Sequence, residues 1–388
     1  MITKNSIPTG YKDSAVGIIP QEWEVKRLGA IAKCFSGGTP KSESEEMYGG
    51  TIPFIRSGEI HSNKTALFLT DDGLRKSSAK MVDVGDLIFA LYGANSGDCA
   101  ISQIDGAINQ AILCIRSSSV INLFLQPYLE LQKDRFIAKY LQGRQGNLSG
   151  EIVCSYSIPI PPMEEQKKIA EILGVWDEAI EKQSRLIEKL ELRKRALMQR
   201  LLTGRTRLPG FTTPWQKVKL GEMAQIKKGK SLTSNNVKSG LYPVIAGGKD
   251  SPYSHNDYTD ENVITVSASG AYAGYVSYHP QKIWASDCSV VKEVNTKSSI
   301  LFLYNLLLYR QVYIYSLQIG GAQPHVFPKD IERVKLLCPP LSEQKAIAEV
   351  LTTADDEIAT HRKKLDALRL QKRGLMQQLL TGKTRVKM

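Results

Sequence analysis

The sequence predicts an α+β protein in which two small mixed domains alternate with two long antiparallel coiled-coil helices, the whole forming a pseudo-twofold internal repeat. Three observations predict it. "PPMEEQKKIAEIL" (161–173) returns as "PPLSEQKAIAEVL" (339–351), and residues 161–207 lie over 339–385 without a gap, about half the positions being identical. Apolar side chains in both copies recur at alternating spacings of four and three, and the stretches ahead of the copies echo each other while differing in content. An ungapped repeat of this length is the signature of duplicated architecture.

In chain order the expected parts are a first domain over 1–160, a long helix over 161–204, a linker with a second domain over 205–338, and a second long helix over 339–382, with a short tail at 383–388. Each domain opens alike: "WEVKRLGAIAKCFSGG" (23–38) echoes "WQKVKLGEMAQIKKGK" (215–230). Hairpins are expected at "DLIFALYGANSGDCAI" (86–101) and "NVITVSASGAYAGYVSYH" (262–279), followed by one helix near 121–141 or 299–317.

The first long helix carries a seam of Ile169, Leu173, Trp176, Ile180, Gln183, Ile187, Leu190, Lys194, Leu197 and Leu201. In the second the same rows hold Ile347, Leu351, Ala354, Ile358, His361, Leu365, Leu368, Lys372, Leu375 and Leu379. This is a heptad pattern, and it demands a partner to cover it. Each helix starts after Pro-Pro and ends at Thr-Gly, with Gly204 and Gly382 where a left-handed residue closes a helix. At 1.5 Å per residue each helix spans about 55–60 Å. The polar rows, Gln183/His361 and Lys194/Lys372, either set the register of an antiparallel pair or snorkel at its edge.

With 42% hydrophobic residues the chain can bury a core. Its six cysteines stand singly with no CxxC pair, as expected of reduced, mostly buried thiols in the cytoplasm. The stretch "MITKNSIPTGYKDS" (1–14) lacks the apolar core of a signal peptide, and the most apolar window, "ILFLYNLLLY" (300–309), is too short for a bilayer, so neither secretion nor membrane insertion is expected. A net charge of +12 suggests a polyanionic partner. The excess lies beyond residue 160, because the first 160 residues carry as many acids as bases.

Catalytic signatures are missing. "KKGKS" (227–231) lacks the glycine that a P-loop needs at position 224, which is Ala. The E-x-K triplets at 165–167 and 343–345 have no partner acid on a strand and read as solvated helix-start charges. No G-x-S-x-G, H-E-x-x-H, G-x-G-x-x-G or Asn-Pro-Pro-aromatic motif occurs, and the five histidines are dispersed. Turns instead carry cations, amides and aromatics: Lys41, Arg56, Asn95, Arg144 and Gln145 in the first domain, and Lys227, Lys228, Lys230, Tyr272, Gln323 and His325 in the second. Lys and Arg on loops suit phosphates, and forked or amide side chains suit base edges. Singly, each is better explained as an ordinary solvated loop residue; as a set on loops of both domains, they point to nucleic-acid binding.

The P-P-x-x-E-Q-x-x-I-A-E-x-L opening, the L-x-x-x-L-L-T-G-x-T-R ending, their duplication and the W-x-x-x-x-L-G start of each head resemble the specificity subunit of type I restriction–modification systems. The resemblance implies two target recognition domains on double-stranded DNA, each reading about 3–5 base pairs of an asymmetric bipartite target, with centres near one helical turn apart. It implies two DNA-methyltransferase subunits and restriction subunits as partners, held on the outward helix faces with "LLTGRTR" and "LLTGKTR". S-adenosylmethionine, ATP and Mg would then sit on those partners, and this chain would be a non-catalytic recognition subunit without cofactor or metal. Two readings from other classes are a coiled-coil scaffold binding only protein, and an enzyme whose site leaves no motif.

Overall fold

The structure is a computed structural model that describes residues 7–41, 43–140, 148–233, 237–248, 253–294 and 296–387. The chain divides into two compact units, residues 1–182 with 365–388, and residues 183–364. Each unit therefore contains one head together with part of both long helices.

In the first unit, Ala32–Ser36, Ile112–Ser117, Leu87–Ala90 and Cys99–Ile101 form an antiparallel sheet in that order. "LIFA" (87–90) is buried throughout because both faces of this sheet are covered. Leu87, Phe89, Leu113 and Ile115 pack with Phe124, Leu125, Leu129 and Phe136 of the helix Asn122–Tyr140. Their alternate neighbours Ile88, Ala90, Ile112 and Cys114 meet Ile55, Val82 and Ile108 of a second sheet. That sheet runs Leu67–Leu69, Tyr48–Ile55, Gly106–Ile108, Lys80–Val82, with its central pair parallel. The sheets approach so closely at Gly37 that a Cβ there would stand 1.7 Å from the Ile108 carbonyl oxygen. Gly37→Ala should cost the first head about 3 kcal/mol through a forced backbone shift, measurable by urea unfolding.

The second unit repeats the plan. Ala224–Lys228, Cys288–Glu293, Val263–Ser267 and Val276–His279 form the antiparallel sheet, and Ser254–His255, Tyr242–Ile245 and Trp284–Ala285 form the second, with Tyr242–Ile245 parallel to Trp284–Ala285. Ile264, Val266 and Val291 pack on Phe302, Leu303, Leu306 and Leu307, while Val263, Cys288 and Val290 face Ile283 and Ala285. The hairpins stand where the alternation places them. The single helix expected over 299–317 is instead two, Ile300–Tyr309 and Gln311–Tyr315, broken at Arg310, whose φ of −90° and ψ of 11° leave the helical basin. Burial pushes His279 down to about 4, and its Nε2 lies 2.9 Å from Thr265 Oγ1. Below its ordinary 6.5 the unfolded chain takes up a proton that the folded head excludes. Stability should thus fall as pH drops from 6.5 to 5, on the order of 2 kcal/mol, with no such dependence above pH 7. Melting temperatures of the chain and of His279→Gln across that range check this, the variant giving the flatter profile.

The long helices run Met163–Leu201 and Leu341–Leu379, 39 residues each. Of the seam, Ile169, Leu173, Gln183, Ile187, Leu190, Leu201, Ile347, Leu351, Ala354, Ile358, Leu365 and Leu379 are buried. Trp176, Ile180, Lys194, Leu197, His361, Leu368, Lys372 and Leu375 are half-buried, and none is exposed. Within each unit the pairing is antiparallel. In the first, Lys372 Nζ meets Asp177 at 2.5 Å; in the second, Lys194 Nζ meets Asp355 at 2.5 Å, and Gln183 Nε2 meets His361 Nδ1 at 2.8 Å and donates to the His361 carbonyl at 2.9 Å. The polar rows are cross-helix pairs, which favours register-setting over snorkelling: a one-turn slip would leave lysines that are only 13% exposed without their aspartates.

The repeated motifs form a clasp in each unit. Glu165, 1% exposed, accepts from Trp23 Nε1 at 2.9 Å and from Arg385 Nε and Nη2 at 2.7 and 3.0 Å. Glu343, 0% exposed, accepts from Trp215 Nε1 at 3.0 Å and from Arg207 Nε and Nη2 at 2.6 and 2.7 Å. The start of each long helix thus holds the tail of the other and the first tryptophan of a head. Gly204 and Gly382, at φ 70° and 71°, let those tails turn over Trp215 and Trp23. The next residue ties in the head's own helix. Gln166 accepts from Ile121 N–H and donates to the Ser119 carbonyl, and Gln344 accepts from Ser299 N–H and donates to the Lys297 carbonyl. Two expectations are corrected here. Glu165 and Glu343 are not solvated charges, because each is buried against a guanidinium and an indole. Nor do "LLTGRTR" and "LLTGKTR" face outward, since Leu201, Leu202, Leu379 and Leu380 lie in the core and both closing arginines are engaged.

Candidate nucleic-acid interface

In the first head the sheet ends where Ala90 pairs with Ile112 and Leu113 with Ser36. Three connections meet there. The Leu87–Ala90 strand continues into "YGANSG" (92–97), closed by Gly97 N–H on the Ala90 carbonyl at 2.9 Å and Ala90 N–H on Asp98 at 2.8 Å, with Gly93 and Gly97 at φ 90° and 85°. Asn95 Nδ2 donates to the Ser57 carbonyl at 3.1 Å, joining this turn to the one carrying Arg56. Arg56 is held by Glu59 through Nε at 3.1 Å, and its side chain remains 46% exposed. The loop bearing Lys41, which is exposed, leaves the end of Ala32–Ser36, and its Thr39 hydroxyl donates to Gln110 Oε1 at 2.5 Å. Lys41, Arg56 and Asn95, far apart in sequence, therefore belong to connections at one end of the sheet. Arg144 and Gln145 lie outside the described residues.

The second head has the same end with other side chains. "SGAYAG" (269–274) is closed by Gly274 N–H on the Ser267 carbonyl at 2.7 Å and Ser267 N–H on Tyr275 at 2.9 Å, with Gly270 and Gly274 at φ 79° and 87°. The two turns are equivalent, so Asn95 and Tyr272 occupy the same position. A third segment docks alike in both: Leu148 N–H donates to the Leu91 carbonyl at 2.9 Å, and Val326 N–H to the Ala268 carbonyl at 3.0 Å. In the second head this segment brings Gln323 and His325 beside the turn, through Gly270 N–H on the Pro324 carbonyl and a bridge between Ser269 and His325. The ring of His325 stacks on Phe327 at 6.1 Å.

The three lysines of "KKGK" part company. Lys227 Nζ sits 2.7 Å from Asp260, whose side chain is 4% exposed, so its charge neutralises a buried carboxylate. Lys228 is exposed and unpaired among the described residues, and Lys230 is exposed with its ammonium 5.1 Å over the Trp284 ring. Gly229 N–H bonds the Cys288 carbonyl and Cys288 pairs with Ser267, which puts these two lysines at the same sheet end as Tyr272.

Two signals in the sequence mark these sites. The shared G-A-x-x-G of the two hairpins marks the equivalent turns, and the paired W-x-x-x-x-L-G, Glu-Gln and T-G-x-T-R motifs are three parts of one clasp. Equivalent grooves also lie beside the long helices. One, of about 490 Å³, is lined by Asp177, Ile180, Lys372 and Met376 with Lys133 of the first head, and the other, of about 750 Å³, by Asp355, Ile358, Lys194 and Met198 with Tyr309 of the second. Among the described residues no group of His, Cys, Asp and Glu is placed to hold a metal, and no helix is long and apolar enough to cross a membrane.

The family profile described as the type I restriction modification DNA specificity domain matches this chain twice, over residues 20–192 and 212–370. The chain is 27% identical over 415 residues to the putative type I restriction enzyme MjaX specificity subunit of Methanocaldococcus jannaschii, covering 97% of both. To the MjaVIII specificity subunit of the same organism it is 26% identical over 410 residues, covering 95% of this chain and 94% of the relative. Its fold is similar to the crystal structure of the type I restriction–modification S subunit from M. genitalium, with a TM-score of 0.62 at 18% identity over 94% of this chain and 96% of that one.

Proposed function

This chain belongs to the family of type I restriction–modification DNA specificity proteins, and from that premise we propose that its heads, within residues 1–160 and 205–338, read the two unlike parts of an asymmetric bipartite duplex target. The observation that carries the reading is the repeated sheet end. Both heads carry exposed cations on the connection after the first strand of the antiparallel sheet, Lys41 in one and Lys228 and Lys230 in the other, and both carry the same glycine-bounded turn, with Asn95 in one and Tyr272 in the other. Phosphates would be met by Lys41, Arg56, Lys228 and Lys230, and base edges by Asn95, Tyr272, Gln323 and His325.

Two methyltransferase subunits would dock one in each of the equivalent grooves, a placement supported by their matching Lys–Asp pair, isoleucine and methionine. Restriction subunits would join that assembly. S-adenosylmethionine, ATP and Mg would be held by the partners, leaving this chain without catalysis of its own. A scaffold binding protein only is disfavoured by the family and by the unlike sheet ends.

Sequencing modified bases in cells that express the chain with its methyltransferase partner should reveal an asymmetric two-part motif. A continuous palindrome, or no motif at all, would count against the reading. Grafting a charge onto the exposed wall of a groove, as in Ala359→Glu, should lower the number of bound methyltransferase copies from two to one, as read by native mass spectrometry.

A further inference from the structure

Resting on the reading that the heads bind duplex DNA, we propose that the turn built twice, residues 92–97 and 269–274, is the base-reading element of each head and works by different chemistry in the two. Asn95 reads adenine through its amide in one half of the target. Tyr272, with Ile319 and Phe327, reads thymine through its 5-methyl group in the other.

Both turns are held by the same hydrogen bonds and the same pair of glycines at positive φ, so the backbone presents residues 95 and 272 alike. What varies is the side chain. The Asn95 amide donates one N–H to the Ser57 carbonyl, which fixes its plane. Its second N–H and its Oδ1 remain, and among the described residues nothing donates to that oxygen. One acceptor and one donor on a planar amide are what the N6 and N7 edge of adenine requires in the major groove.

The second head offers no such fork at this position. Tyr272 is 42% exposed, Ile319 59% and Phe327 50%. Main-chain bonding draws them together: Gly270 N–H on the Pro324 carbonyl, Ser269 bridged to His325, and Ile319 and His325 exchanging both N–H···O bonds at 2.9 Å. The result is an apolar surface at a sheet end that also carries the exposed Lys228 and Lys230. Those flanking cations select a polyanion as the occupant over an apolar protein face or a lipid interior. The apolar group that a DNA polyanion displays in its major groove is the thymine methyl.

The test uses the full chain in complex with its methyltransferase partner. A random duplex library gives the preferred sequence, and a cleaving chelate tethered through Ser231→Cys, on the exposed loop beside Lys230, shows which half the second head covers. Synthetic duplexes of that sequence then carry deoxyuridine for thymine in one half at a time, which removes only methyl groups and needs no protein variant. Binding should weaken about fourfold per methyl read, in the half covered by the second head and not in the other. Phe327→Ala and Tyr272→Ala should make the complex indifferent to that exchange. Asn95→Ala should relax adenine preference about tenfold in the first half alone. Equal tolerance of deoxyuridine in both halves overturns the thymine assignment, and an unchanged library motif in Asn95→Ala overturns the amide assignment. A complex that selects no sequence overturns the DNA-reading function itself, a separate outcome from both.

Discussion

Replacing Glu343 with alanine destabilises the second unit by about 2–3 kcal/mol, the cost of leaving a half-buried guanidinium and a half-buried indole N–H without their acceptor. Glu343 is wholly buried, and both of its oxygens are used, one by Arg207 Nε and the other by Arg207 Nη2 and Trp215 Nε1. Water cannot replace the carboxylate without opening the tail that turns at Gly204. Glu343→Gln keeps an acceptor for the indole and loses the charge, so it should fall between the wild type and alanine. Hydrogen exchange on the full chain locates the effect: protection should drop in residues 204–220 and 339–347, with peptides of the first head unchanged. Glu165→Ala should do the same to the first unit through Trp23 and Arg385, making the two substitutions mirror experiments. A loss below about 1 kcal/mol at either site would show that the clasp is ornamental.

Lys228 and Lys230, changed together to alanine, weaken DNA binding by the complex on the order of 30-fold at 0.15 M salt and flatten the slope of log K against log salt by about 1.8. The figure follows from the release of about 0.9 counterion per neutralised phosphate. The loss should be uniform across sequences, because phosphates carry no base identity. Lys227 is the internal control. Its ammonium is committed to Asp260, so Lys227→Ala should leave the salt slope alone and lower the stability of the second head by stranding a buried carboxylate. If Lys227→Ala flattens the slope and the Lys228/Lys230 pair does not, these lysines have been assigned the wrong way round.

Much of the architecture could be read from the chain because its signals are local and periodic. The long helices announce themselves by spacing, by Pro-Pro ahead and Thr-Gly behind, whereas the spacing leaves open whether the polar rows pair or snorkel, because the partners Asp177 and Asp355 stand outside those rows. The sheet-end residues are marked in the sequence only by type, loop by loop, and nothing local says that Lys41, Arg56 and Asn95 share one end of a sheet. Lys227 shows how little residue type alone reveals. Between Lys228 and Lys230 it looks like one more loop cation, and Asp260, which claims it, lies 33 residues away.

Glu165 is the clearest divide between the two kinds of information. By itself the sequence determined that a helix begins there, since Pro161 and Pro162 bar an earlier start and acidic residues favour a helix N-terminus. It also determined that the whole arrangement occurs twice. Only the tertiary structure decided that this carboxylate is buried, because its partners Trp23 and Arg385 stand 142 and 220 residues away along the chain. Helix periodicity is a property of neighbours a few residues apart, whereas burial of a charge depends on which distant segments fold over it.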